Sequence, residues 1–212
     1  MPPTTLLALM LATYAIPIVF VYYKYSIATD ATDPRSISSI ITSKEPFITF
    51  SENAPPPVFT MFQTRHFIAA CMLLMAVFTL AYEYQRCVTQ NTRWSLFAII
   101  ALLIGIFGVI FIPEHDSAHY IFAATAFFAI VGFMVGHTYY GGDTDTAETD
   151  DILRILLYAQ FLFMVVTVIG VIQDAPIFAS EVLFLLNFAI FYLYLHGEHH
   201  TFSISMPSSS IR

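Results

Sequence analysis

The sequence predicts an all-α integral membrane protein, a bundle of six transmembrane helices with both termini on the same side of the bilayer. Three observations carry that expectation. Of 212 residues, 58% are hydrophobic and only 11% charged, against roughly 25% charged in a soluble domain. That much apolar surface exceeds what one core of this length can hide, so a bilayer is the natural solvent. The apolar residues also fall into six runs, each near the roughly 20 residues that carry a helix across a hydrocarbon core. Most runs are joined by short polar connections, which force neighbouring helices antiparallel, as in a bundle.

The first run, 5–26, sits where a secretory signal would. It has no basic leading region, and "VYYKY" follows it in place of a small-residue cleavage site. It reads as a retained helix, kinked at Pro17, with Tyr22, Tyr23, Lys24 and Tyr25 at the membrane interface. A long polar first loop, 27–59, ends in "APPP". The second and third spans, 60–83 and 94–112, are joined by "YQRCVTQNTR". The fourth, 118–140, follows "PEHDS"; the fifth, 152–172, follows "YGGDTDTAETDD"; the sixth, 178–196, follows "QDAPIF". Together they form a single transmembrane domain, 1–200, and the tail 201–212 reads as disordered.

Six crossings put the first loop, "PEHDS" and "QDAPIF" on one side of the bilayer and both termini on the other. Arg86, Arg93, Arg154 and Arg212 then oppose Lys24, Arg35, Lys44 and Arg65, four against four, so positive charge alone sets no orientation.

Several function classes are excluded or disfavoured. The net charge of −7, with no basic stripe, argues against nucleic acid as a partner. No nucleotide loop, haem signature or mid-span lysine for retinal is present, so no cofactor is expected. The acidic loop "GGDTDTAETDD" lacks the spacing of a calcium-binding EF-hand. Cys71 and Cys87 are separated by sixteen residues of helix, about 24 Å, too far for a disulfide.

The polar residues that need explaining lie mostly on the first-loop side. "IPEHDSAHYIF" packs His115, Asp116 and His119 between two apolar runs. In one continuous helix, histidines four apart share a face and could hold a metal. A helix opening at Asp116 or Ser117, both good N-caps, would leave His115 outside and make this a polar doorway instead. Arg65 and His66 open the second span and Glu181 the sixth, at similar depth. A bundle could gather Arg65, His66, His115, Asp116, His119 and Glu181 into one polar cluster, either a lipid-headgroup or catalytic pocket or a structural network joining helix ends. If a metal were held there, His66, His115 and His119 would be its ligands.

On the opposite side, His196, His199 and His200 read as a surface cluster after a helix capped at Gly197, and His137 as interfacial. Gln160 and Asn187 are mid-span amides, expected to hydrogen-bond across helices. Gly132 and Gly136, and the shorter pair Gly105 and Gly108, are candidates for close helix approach.

This layout resembles the damage-regulated autophagy modulator (DRAM) family, whose wider relatives include lipid-remodelling factors of GPI anchors. The residues that carry the likeness are "RSIS" (35–38), His115-Asp116, Arg154, and Glu181 followed by "FAIFYLYL". The resemblance implies a multi-pass protein of endolysosomal, Golgi or plasma membranes with cytosolic termini, acting in autophagy, lipid handling or membrane organisation.

The expected function is therefore non-enzymatic: binding of membrane lipid or of a membrane-protein partner. Two alternatives remain open. One is an integral-membrane lipid hydrolase or remodelling enzyme with a His/Asp site; the other is a packing subunit of a larger membrane complex.

Overall fold

A computed structural model of the chain describes residues 5, 8–13, 15, 16, 19, 36–38, 64–90, 93–113, 116–140 and 147–201. Among them run five helices in order: α1 (Thr64–Gln90), α2 (Arg93–Phe111), α3 (Ser117–Tyr140), α4 (Ala147–Ile172) and α5 (Phe178–Thr201). All five contain a stretch long and apolar enough to cross a membrane, from 18 residues in Phe178–Leu195 to 24 in Ser117–Tyr140. This is the make-up of an integral, multi-pass membrane protein.

The distribution of large side chains agrees with an apolar surround. Phe97, Phe111 and Ile172 are 71%, 70% and 78% exposed. In water such a surface would aggregate; in hydrocarbon it is simply solvated. Polar side chains show the converse pattern, with Glu83, Ser95 and Gln160 wholly buried.

The helix ends follow local chemistry. Asp116 caps α3: its Oδ1 accepts the Ala118 N–H at 2.9 Å, one of the donors that the first turn leaves without a partner. The end of α4 is closed by paired bonds, Ala175 N–H to the Gly170 carbonyl at 2.9 Å and Asp174 N–H to Val171 at 3.2 Å. Asp174 supplies the left-handed residue that this closure needs, at φ 53°. In α1 the helix does not stop at 83, where the hydropathy falls, but continues to Gln90. Likewise α5 runs through Gly197 to Thr201, so Gly197 is a helical residue and not the expected cap. A single interior glycine costs only about 1 kcal/mol, which the flanking turns can carry.

Packing is closest between α2 and α3. A Cβ on Gly105 would stand 2.6 Å from the Ala126 backbone nitrogen and 2.8 Å from the Phe122 carbonyl oxygen. A Cβ on Gly108 would strike the Phe122 ring. Of the Gly132–Gly136 pair, Gly136 makes room for Trp94, while Gly132 faces open space. The core is centred on Phe133, Met134, Leu153, Phe184 and Phe191, all fully enclosed. Met10, 7% exposed, joins the same core from the N-terminal helical residues.

The direction of the helices alternates. The late residues of α1, α3 and α5 meet the first turn of α2 at one end, through Glu83, His137, Tyr192 and Ser95. At the opposite end the first turns of α3 and α5 meet the last turns of α4 around one cleft.

Candidate functional site

Two polar groupings sit at opposite ends of the bundle. The first is on the side where the sequence placed its polar cluster. His119 lies in the first turn of α3 and is 2% exposed. Its Nδ1 stands 2.8 Å from the carbonyl oxygen of Ile112. A carbonyl can only accept, so Nδ1 carries a hydrogen. Among the described residues, Nε2 has no hydrogen-bond partner.

Glu181 lies in the first turn of α5, where the helix dipole favours an acid. It is 9% exposed, and its Oε2 accepts the backbone N–H of Ile37. That bond fixes residues 36–38 to the bundle, where Ser36 and Ser38 are buried. Thr167 of α4 donates to Ser180 Oγ at 2.9 Å, tying α4 to α5 at the same level.

Between α3 and α4 a cleft of about 220 Å³ is formed here. Its polar end carries His119, Glu181, Ser36 and Ser38; its length is walled by Phe127, Phe128, Val168 and other apolar residues. Phe128 and Ile172 at its walls are 66% and 78% exposed, so the cleft opens on the apolar outer surface. The shape is that of an amphiphile site, apolar along its length and polar at one end.

The structure therefore brings together His119 and Glu181 from the sequence-derived set. Asp116 stays exposed as the cap of α3, and His66 is exposed on α1. Arg65 is half-buried, with Nε enclosed and without a hydrogen-bond partner, and is not among the described walls of the cleft. His115 precedes α3 and lies outside the described residues, as do the side chains of His196, His199 and His200. Among the described residues, no three His, Cys, Asp or Glu side chains are placed to hold a metal ion. Cys71 and Cys87 are both free thiols.

The second grouping was not anticipated. On the last turns of α1, Arg86 binds Glu83 Oε2 through Nε at 3.1 Å and Nη2 at 2.8 Å. Ser95 of α2 donates to the same carboxylate oxygen at 3.0 Å and also meets Arg86 Nη2. His137 of α3 places Nε2 3.1 Å from Arg86 Nη2 and 3.3 Å from Ser95 Oγ. Tyr192 of α5 donates its hydroxyl to Glu83 Oε1. Trp94 and Phe133 flank the His137 ring, at centroid distances of 4.6 and 4.5 Å, and Phe133 stacks on Tyr192 at 5.7 Å.

This is a buried ion-pair network spanning four helices. A serine beside a histidine and an acid invites comparison with a nucleophile, but Ser95 is 0% exposed and Glu83 is 0% exposed, so no substrate carbon reaches that hydroxyl. The signal that could have located the network was the Glu83-x-x-Arg86 pair, opposite charges one helical turn apart. The fall in hydropathy at 83 divides the pair in the sequence, with Glu83 at the end of the second span and Arg86 in the connection that follows. His137, expected at the interface, is 5% exposed and inside the network.

Midway along α4 and α5, Asn187 Nδ2 donates to the Leu156 carbonyl at 2.8 Å and to Gln160 Oε1, while Gln160 Nε2 donates to the Phe184 carbonyl at 3.1 Å. Both amides are thus satisfied across the helix pair, as their mid-span position required.

Comparison of the chain with protein families, curated proteins and solved structures found no match.

Proposed function

We propose that this chain is a six-span, non-enzymatic membrane protein that acts in membrane or lipid organisation by holding a lipid in the cleft between α3 and α4. The observation that carries the reading is the cleft itself: apolar walls opening on the outer surface, closed at one end by His119, Glu181, Ser36 and Ser38. A lipid tail satisfies the walls and a headgroup the polar end.

The remaining span is the first run of the sequence, residues 5–26, preceding α1. Helical residues 8–13 and the place of Met10 in the same core cluster as Met75, Ile99 and Ile130 support it. With that span both termini share the side of Glu83 and Tyr192. The likeness to DRAM-type proteins supports an endolysosomal, Golgi or plasma-membrane location, cytosolic termini and a part in autophagy or lipid handling.

Native mass spectrometry of protein purified in mild detergent tests the lipid reading. The wild type should retain lipid at a defined stoichiometry. Ala124→Trp, which fills the cleft from its exposed wall, should lose it while remaining folded. Equal retention by both proteins, or none by the wild type, overturns the reading; hydrolysis or acyl transfer of the retained lipid on incubation restores the enzymatic alternative.

A further inference from the structure

We infer that the face of α4 carrying Asp151, Arg154 and Tyr158 holds a zwitterionic, amino-headed phospholipid of the phosphatidylethanolamine kind. The site lies at the other end of α4 from the cleft, on the side of Glu83 and Tyr192, and stands independently of any lipid held in the cleft.

Helical spacing sets these side chains in a row. Residues 151, 154 and 158 fall at i, i+3 and i+7, on one face, and all three are exposed. They step along the axis by about 4.5 Å and then about 6 Å. An acid, a guanidinium and a phenol therefore meet the bilayer in that order, from its surface inward. Tyr139, exposed at the end of α3, hydrogen-bonds the Tyr158 side chain, which sets two phenols at the inner step. Further in, the same face continues with Leu162 and Val165, apolar and exposed.

That order is the complement of one class of lipid. Phosphatidylethanolamine presents, from its tip inward, an ammonium, a phosphate, the ester carbonyls and then the tails. Asp151 meets the ammonium, and the guanidinium fork of Arg154 meets the phosphate. Of the two phenols one O–H is used within the pair, and the other donates to an ester carbonyl. A tail then lies on Leu162 and Val165. The charged side chains are open to this exchange. Arg154 Nη1 stands 3.5 Å from Asp151 Oδ1, beyond the roughly 2.7–3.2 Å of a hydrogen bond, and so loose an exposed pair contributes little. A purely anionic head would leave Asp151 without a counterpart. It would also add negative charge beside a stretch of sequence that already carries Asp143, Asp145, Glu148 and Asp150. A choline head brings the positive charge but no N–H to donate to the carboxylate.

The test offers purified full-length protein, in mild detergent at neutral pH, an equimolar mixture of phosphatidylethanolamine, phosphatidylcholine and phosphatidylglycerol with identical chains, and reads retention by native mass spectrometry. The wild type should retain phosphatidylethanolamine about fivefold over either competitor, the effect of roughly one exposed ion pair. Asp151→Asn changes an exposed side chain, so it should melt with the wild type, and it should level the three headgroups. Arg154→Gln should lower retention of phosphatidylethanolamine by a similar factor. Ala124→Trp, which fills the cleft, should keep the preference. Equal retention of the three lipids by the wild type, or retention of none, overturns the inference. So does a preference unchanged in either charge variant. Loss of the preference in Ala124→Trp overturns it as well, by assigning the headgroup selection to the cleft.

Discussion

Nη2 of Arg86 lies 3.1 Å from Nε2 of His137. A guanidinium only donates, so the ring nitrogen that meets it serves as an acceptor, and the proton of the neutral imidazole sits on Nδ1. The contact joins the end of α1 to the end of α3 and holds only while that nitrogen is bare.

Substitution at His137 reads this directly. His137→Arg sets a second fixed cation against Arg86 within a buried network and should destabilise the fold by about 3–5 kcal/mol, the scale of an uncompensated buried charge. His137→Gln offers an acceptor and should lose much less. Thermal unfolding in detergent, followed by size-exclusion fluorescence, ranks the two. Equal stability of both variants would remove the donor–acceptor assignment.

The Glu83–Arg86 pair should show strong coupling. Arg86→Met alone takes the guanidinium from the wholly buried Glu83 carboxylate, at a cost of about 3–5 kcal/mol. Adding Glu83→Leu removes the stranded charge and should recover part of that loss. A double-mutant cycle measures the coupling; additive losses would show that the two residues act independently.

Tyr192→Phe deletes a single donor to Glu83. A hydrogen bond to a charged group contributes about 1.5–3 kcal/mol. The loss should appear as a lower melting temperature with unchanged helical content by circular dichroism.

Two glycines make a matched pair. Gly105→Ala presses a methyl onto the α3 backbone at Ala126 and Phe122, where neither neighbour is a side-chain end free to swing away, and should cost about 1–3 kcal/mol. Gly132→Ala meets nothing and should be neutral or gain up to about 1 kcal/mol from helix propensity. The ranking, read by thermal unfolding, is opposite to one based on the Gly-x-x-x-Gly motif alone.

That last contrast shows where sequence reasoning reaches and where it stops. Hydropathy and length located five membrane-crossing helices, because an apolar run has few other places to go. Asp116 as a cap and Asn187 with Gln160 as cross-helix partners were also legible, since each answers a local need of the backbone or of an amide in oil. Which glycine of a pair meets a neighbour depends on helix rotation, and apolar residues all round a helix leave rotation undetermined. The Glu83 network was hidden for a related reason. Its members lie on α1, α2, α3 and α5, and each alone looks like an ordinary polar residue near a membrane surface. The continuation of α1 past 83 carries Arg86 inward to meet Ser95 of α2 and His137 of α3, while Tyr192 of α5 joins through Glu83.

The bond from Ile37 to Glu181 is made by a backbone amide, and an amide belongs to every residue except proline. The fastening of the 36–38 segment to α5 is consequently indifferent to which side chain occupies position 37. The Ile37 side chain has a separate task, packing against the cluster of Ile68, Val109 and Ile110, so an apolar exchange at 37 keeps both attachments while proline deletes the hydrogen bond alone.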